Sequence, residues 1–195
     1  GTVRVAKDTL VDTITTGEDG TAKSKELYLG KYRLVETQTL DGYVLSTEPT
    51  TVEITYAGQE VAVTNADISI NNERQKAEVN LKKILEETKD YQADNKEILN
   101  VSFALYAKDE IKASDGTAIP KDGLLEIASC SEDGTFSFKS DLPFGSYYVQ
   151  EYTTDSHYVL DDTKYDFEFT PFDDNEAVKT ININGGEGII NTHLH

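Results

Sequence analysis

The chain has one cysteine, Cys130, so it can form neither an internal disulfide nor a cysteine-based metal site. It has no methionine and begins at Gly1, and is therefore expected to be a piece of a longer protein, with any sorting signal or anchor outside it. No apolar run is long enough to span a bilayer, and no signal peptide is visible. Basic residues are scarce: 18 Lys and Arg stand against 36 Asp and Glu, a net charge of −18. Such a surface repels nucleic acid phosphates and anionic membranes, which sets aside nucleic acid partners and direct membrane insertion. Helical periodicity is scarce too. Its best stretch, 81–99, reads as the end of a strand followed by a polar loop with at most a short helical turn.

Other familiar chemistry is also missing. There is no phosphate loop and no Ser/His/Asp pattern, so turnover as an enzyme is not expected. The acidic stretches LDDTK (160–164) and FDDNE (172–176) lack the spacing of a calcium loop and read as solvated turns. His157, His193 and His195 form no spaced metal set, and the last two lie near a chain end, where disorder is the expectation. No cofactor and no metal is expected.

What the chain does have is alternation. TVEITY (51–56), EVAVT (60–64), DISIN (67–71), EVNLKK (78–83), NVSFALYA (100–107), TFSFKS (135–140), YDFEF (165–169) and KTININ (179–184) read as strands, separated by Gly and Asp/Asn turns such as EDG at 18–20 and 132–134. Short strands at this spacing predict β-sandwiches. At 195 residues the chain can hold two small ones.

The strands repeat. Gly30, Tyr32, Glu36 and Tyr43 align with Gly145, Tyr147, Glu151 and Tyr158 at an offset of 115, and Asn72 aligns with Asn191 at an offset of 119. The alignment divides the chain at 1–76 and 77–195. Residues 77 to 114 have no counterpart in the first copy, which should therefore lack its opening strands and expose a sheet edge. In both copies a glutamate continues the apolar face of a strand: Tyr32, Leu34 and Glu36 share one face, and Tyr147, Val149 and Glu151 share another.

In the second copy the glutamate has potential company. Val79, Leu81 and Lys83 share a face of the first strand, and Ile189 and Asn191 share a face of the last. Lys83, Glu151 and Asn191 would each be costly to bury alone and can compensate one another together. The plain reading is a hydrogen-bonded or salt-bridged core cluster without covalent chemistry.

VNLKK, VSFALYA, LPFGSYYVQE followed by a tyrosine, and the closing IIN resemble the B-type repeat domains of Gram-positive collagen-binding adhesins and pilus subunits, also described as prealbumin-like or reverse immunoglobulin-like. The shared element runs through LYLGKYRLVETQTLDGY (27–43) and LPFGSYYVQEYTTDSHY (142–158). The second copy departs from the family pattern after its glutamate, with Tyr152 next and His157 before Tyr158.

The resemblance implies an all-β chain of two tandem sandwiches: a partial domain over 1–76 and a complete one over 77–195. It also implies an intramolecular isopeptide bond, with Lys83 as nucleophile, Asn191 as electrophile and Glu151 as acid/base. A protonated Glu151 would hydrogen-bond the amide oxygen of Asn191 and relay protons. Glu36 and Asn72 are the equivalent positions in the first copy, whose matching lysine is missing. Lys7 in VRVAK imitates a first strand, but its alignment with Lys121 makes it an exposed loop residue.

The implied role is a stalk or spacer on a Gram-positive cell surface or cell wall, with neighbouring domains of the same protein as partners. The alternative is a module presenting loops to a host matrix protein or glycan.

Overall fold

The computed structural model describes residues 2–58, 65–94 and 96–195. Its regular structure is almost wholly β. It forms two compact units, one of residues 1–36 with 46–70 and one of residues 37–45 with 71–195.

Among its described residues the first unit contains one ladder. Strands β1 (Gly30–Leu34) and β2 (Thr50–Ile54) pair antiparallel with Tyr32 opposite Val52. A turn closed by Asp19 precedes them: its carboxylate accepts from the Thr21 backbone N–H at 3.0 Å and from the Thr21 hydroxyl at 2.8 Å. None of this unit's described residues is buried. The strand expected at 67–71 does not form, and Ile68 and Ile70 are exposed. The physical reason lies in the ladder. In the second unit the corresponding segment pairs with a first strand, and the first unit has no such strand among its described residues. The strand expected at 60–64 lies outside the described residues. Lys7 is exposed and outside any strand, as its alignment with a loop lysine implies.

The second unit is a two-layer sandwich. One sheet runs β10 (Tyr165–Phe169), β9 (Gly145–Thr153), β4 (Ser102–Ala107), β7 (Leu124–Ser129), all antiparallel neighbours. The other centres on β3 (Lys76–Leu85). Strand β8 (Thr135–Phe138) lies antiparallel on one side; β11 (Val178–Asn182) and then β12 (Ile189–Asn191) lie parallel on the other. A small hairpin, β5 (Ile111–Lys112) with β6 (Ala118–Ile119), stands apart.

The core lies between the sheets and follows period two. Val79, Leu81, Lys83 and Leu85 of β3 are buried in alternation, facing Phe103 and Leu105 of β4 and Tyr147 and Val149 of β9. After β3, residues 86–94 form a loop and Glu97–Asn100 one 3-10 turn, in keeping with the weak periodicity there. The chain end is ordered rather than loose through residue 193. Tyr158 and His193 form an antiparallel bridge, and the His193 ring lies 4.2 Å from the Tyr91 ring.

Candidate self-crosslinking site

Three elements bring the three side chains together. Strand β3 carries Lys83 inward because period two continues Val79 and Leu81. The Lys83 backbone N–H is tied to the Gly134 carbonyl at 2.6 Å. Strand β12 lies parallel to β3 with Ile189 opposite Lys83, so Asn191 sits two residues further along the same face. Strand β9, in the opposite sheet, supplies Glu151 opposite Phe103 of β4. Lys83 is 2% exposed, Glu151 4% and Asn191 1%.

The polar atoms are matched in a definite order. The Asn191 amide nitrogen Nδ2 donates to Glu151 Oε2 at 2.8 Å and to the Val159 carbonyl at 2.8 Å. A backbone carbonyl only accepts, so the contact with Val159 fixes which end of the carboxamide is NH2. Glu151 Oε2 also accepts the Asp161 backbone N–H at 2.7 Å. Glu151 Oε1 is buried and has no hydrogen-bond partner among the described residues. Lys83 Nζ donates to the Ile189 carbonyl at 2.8 Å. Burial pushes the Lys83 pKa down to about 8, against the upward pull of the Glu151 and Asp161 carboxylates. Nearby Cys130 is buried, and that burial raises its thiol to about 12, so it stays protonated.

This arrangement amends one expectation. In the ground state Glu151 touches the amide nitrogen of Asn191 and not its oxygen. The carboxyl is therefore placed against the group that would leave.

The equivalent positions in the first copy retain part of the pattern, each within its own unit. Glu36 Oε1 accepts the Ser46 backbone N–H at 3.4 Å, as Glu151 accepts that of Asp161. Asn72 Nδ2 donates to the Val44 carbonyl at 3.0 Å, as Asn191 does to Val159. Both residues are half-buried.

The backbone partners Val159 and Asp161 are invisible to side-chain reasoning. Their only trace is the position of Val44 and Ser46 at the same offset of 115.

One further group draws donor atoms together. Among the described residues, Glu97, Asp155 and His157 place ligand atoms within 4.8 Å of one another, a grouping not visible from histidine spacing. His157 Nδ1 is 2.6 Å from Asp155 and 3.6 Å from Glu97, the geometry of a histidine paired with two carboxylates. The acidic turns at 160–164 and 172–176 bond internally, Asp161 to the Thr163 N–H and Asp173 to the Asn175 N–H, both at 3.0 Å.

Comparisons with known proteins agree with this architecture. The model of the SpaA prealbumin-like fold domain matches residues 2–69 and again 77–186. Among solved structures, the Bacillus anthracis TIE protein superposes with a TM-score of 0.55 at 22% identity, over 87% of this chain and 27% of that one. A Streptococcal ancillary pilin gives a TM-score of 0.31 at 20% identity over 92% of this chain and 55% of its own. BcpA, the major pilin subunit of Bacillus cereus, gives 0.32 at 20% identity over 62% and 29%. The chain thus spans well under two thirds of each of these proteins. No match is found among curated proteins. With two matches that together span most of its length, the chain belongs to the family of SpaA prealbumin-like fold domains.

Proposed function

We propose that this chain is a structural stalk or spacer segment of a Gram-positive surface protein of pilin type, and that its second domain locks itself with a Lys83–Asn191 isopeptide bond. The observation that carries the reading is the burial of Lys83, Glu151 and Asn191 in one core. There Asn191 Nδ2 lies 2.8 Å from the Glu151 carboxylate, and the lysine's strand runs parallel to that of the asparagine. Membership in the family of SpaA prealbumin-like fold domains supports the setting: the cell surface, with neighbouring domains of the same protein as partners.

The reaction balances without a cofactor. Burial favours the neutral amine of Lys83. Its lone pair attacks Asn191 Cγ, and the Nζ–Cγ bond forms while the carbonyl π pair moves to Oδ1. One Nζ proton passes through Glu151 to Nδ2. The Oδ1 pair then returns, the Cγ–Nδ2 bond breaks, and ammonia leaves. Fixed proximity in the folded core replaces external activation. The event happens once per molecule.

The test is the intact mass of the acid-denatured chain. A deficit of one ammonia, mapped to a Lys83–Asn191 branched peptide, is the expected result. A mass equal to that calculated from sequence overturns the cross-link and leaves a sandwich held by packing and hydrogen bonds.

A further inference from the structure

Attack on Asn191 Cγ places negative charge on Oδ1, yet Glu151 lies against Nδ2 at the other end of the carboxamide. A donor must face the oxygen, and the structure supplies one. The Thr154 hydroxyl Oγ1 donates to Asn191 Oδ1 at 3.5 Å. We propose that Thr154 is the oxyanion donor of the cross-linking reaction; this inference rests on the isopeptide reading above.

A backbone irregularity puts Thr154 there. On β9, simple alternation from inward Glu151 would send residue 153 inward and residue 154 outward. The ladder slips first: Phe103 pairs with Glu151, but the adjacent Ser102 pairs with Thr153, so Tyr152 is an extra residue. It bulges out, half-exposed at 51%. The bulge reverses the parity beyond it, as such features do beside reactive sites. Thr153 now points outward, its hydroxyl 2.7 Å from that of Ser102 and donating to the Asn100 carbonyl at 2.9 Å. Thr154 turns back toward Asn191. The first copy carries threonine at the same place, Thr39, three residues after Glu36.

The contact is long in the ground state, where Oδ1 belongs to a planar amide. As Cγ becomes tetrahedral, charge builds on the oxygen and such a bond shortens and strengthens. Thr154 transfers no proton. It stabilises charge at Oδ1 while Glu151 handles protons at Nζ and Nδ2, so the two residues divide the labour between the two ends of one carboxamide.

The experiment compares the full chain with Thr154→Val, Thr154→Ser and Thr154→Ala. Each is made by cell-free synthesis, and aliquots are quenched in acid for intact mass. Valine keeps the shape and removes the hydroxyl, so loss of ammonia should slow about 10²-fold, the usual effect of removing one oxyanion donor. Serine should react within a few-fold of the parent. Circular dichroism of each variant separates slow chemistry from failed folding. Should valine not fold, the serine-to-alanine ratio of rates decides in its place. Valine, or alanine in that case, reacting at the parent rate overturns the role of Thr154 and leaves the cross-link standing. A parent chain that never loses ammonia overturns both readings.

Discussion

The two copies of the repeat share their local hydrogen bonds and differ in their sheets. Tyr32 in the first and Tyr147 in the second each donate a hydroxyl to the backbone carbonyl four residues earlier, at Tyr28 and Pro143. Thr21 and Thr135 close the same aspartate-capped turn. The glutamates accept a loop N–H at matching positions, and the asparagines donate to matching carbonyls. Yet Tyr147 is fully buried and Tyr32 only half so.

What separates them is strand β3. Its ten residues pair with β8, β11 and β12 and bring the inward lysine. Local sequence is enough to write the turn, the glutamate latch and the asparagine contact. A dry core, and the lowered lysine pKa that follows from it, requires a strand contributed from far away along the chain.

The largest test makes the second copy resemble the first. Lys83→Met should abolish the ammonia deficit. A bond closing a loop of about 108 residues (191 minus 83) contributes roughly 4 to 5 kcal/mol by analogy with disulfides. Its loss should lower the melting temperature by on the order of 10 °C, read by calorimetry. If ammonia is still lost, another lysine reacts and the contrast between the copies collapses.

Next comes the pair of glutamates. Glu151→Gln should slow bond formation by about 10²-fold or more, because the proton relay is gone. Glu36→Gln should leave the mass deficit untouched. Time-resolved intact mass checks both.

A third test uses pH. Lys83 has a folded pKa of about 8 against 10.5 for the free side chain, so between these values the unfolded chain binds more protons than the folded one. Stability of a chain unable to close, Asn191→Ala, should therefore rise with pH between about 8 and 10.5. Below pH 8 the burden of the buried ammonium is fully present. In the parent chain the rate of bond formation should rise about tenfold per pH unit below 8 and level off above it. Urea melts and mass time courses at several pH values read the two effects.

The smallest effect belongs to the first copy's asparagine. Asn72→Ala removes the bond to the Val44 carbonyl and should cost about 1 kcal/mol in urea unfolding of the second unit, with the ammonia deficit unchanged relative to the variant's calculated mass.

Much of this was legible in sequence because period two is strict wherever a face is buried. Val79, Leu81 and Lys83 announced an inward lysine, and Ile189 and Asn191 an inward asparagine. Glu151 stood out because its neighbour in the repeat, Glu36, broke alternation at the same place. The rest depended on backbone groups and register. The bulge at Tyr152 hides Thr154, since an extra residue in a ladder leaves no mark in a pattern read by alternation. The orientation of the Asn191 amide depends on a carbonyl 32 residues earlier in the chain. The segment DISIN has a strand's pattern but no strand to pair with among the described residues. Nor did composition reveal that residues 37–45 of the first copy pack with the second unit. There Leu45 donates to the Asp174 carbonyl at 2.8 Å, and Gln75, fully buried, donates to the carbonyls of Phe172, Asp173 and Glu176.

The parallel pairing of β12 with β3 has a mechanical meaning. Tension applied at the entry of β3 and the exit of β12 pulls two parallel neighbours in opposite directions along their length, so their hydrogen bonds are loaded together in shear and not peeled one by one. If Lys83 is joined to Asn191 as proposed, the load would cross from one strand to the other through a covalent bond. The chain between them, about 108 residues or roughly 370 Å of extended contour, would then never be released under force. Such a segment would behave as a link of fixed length.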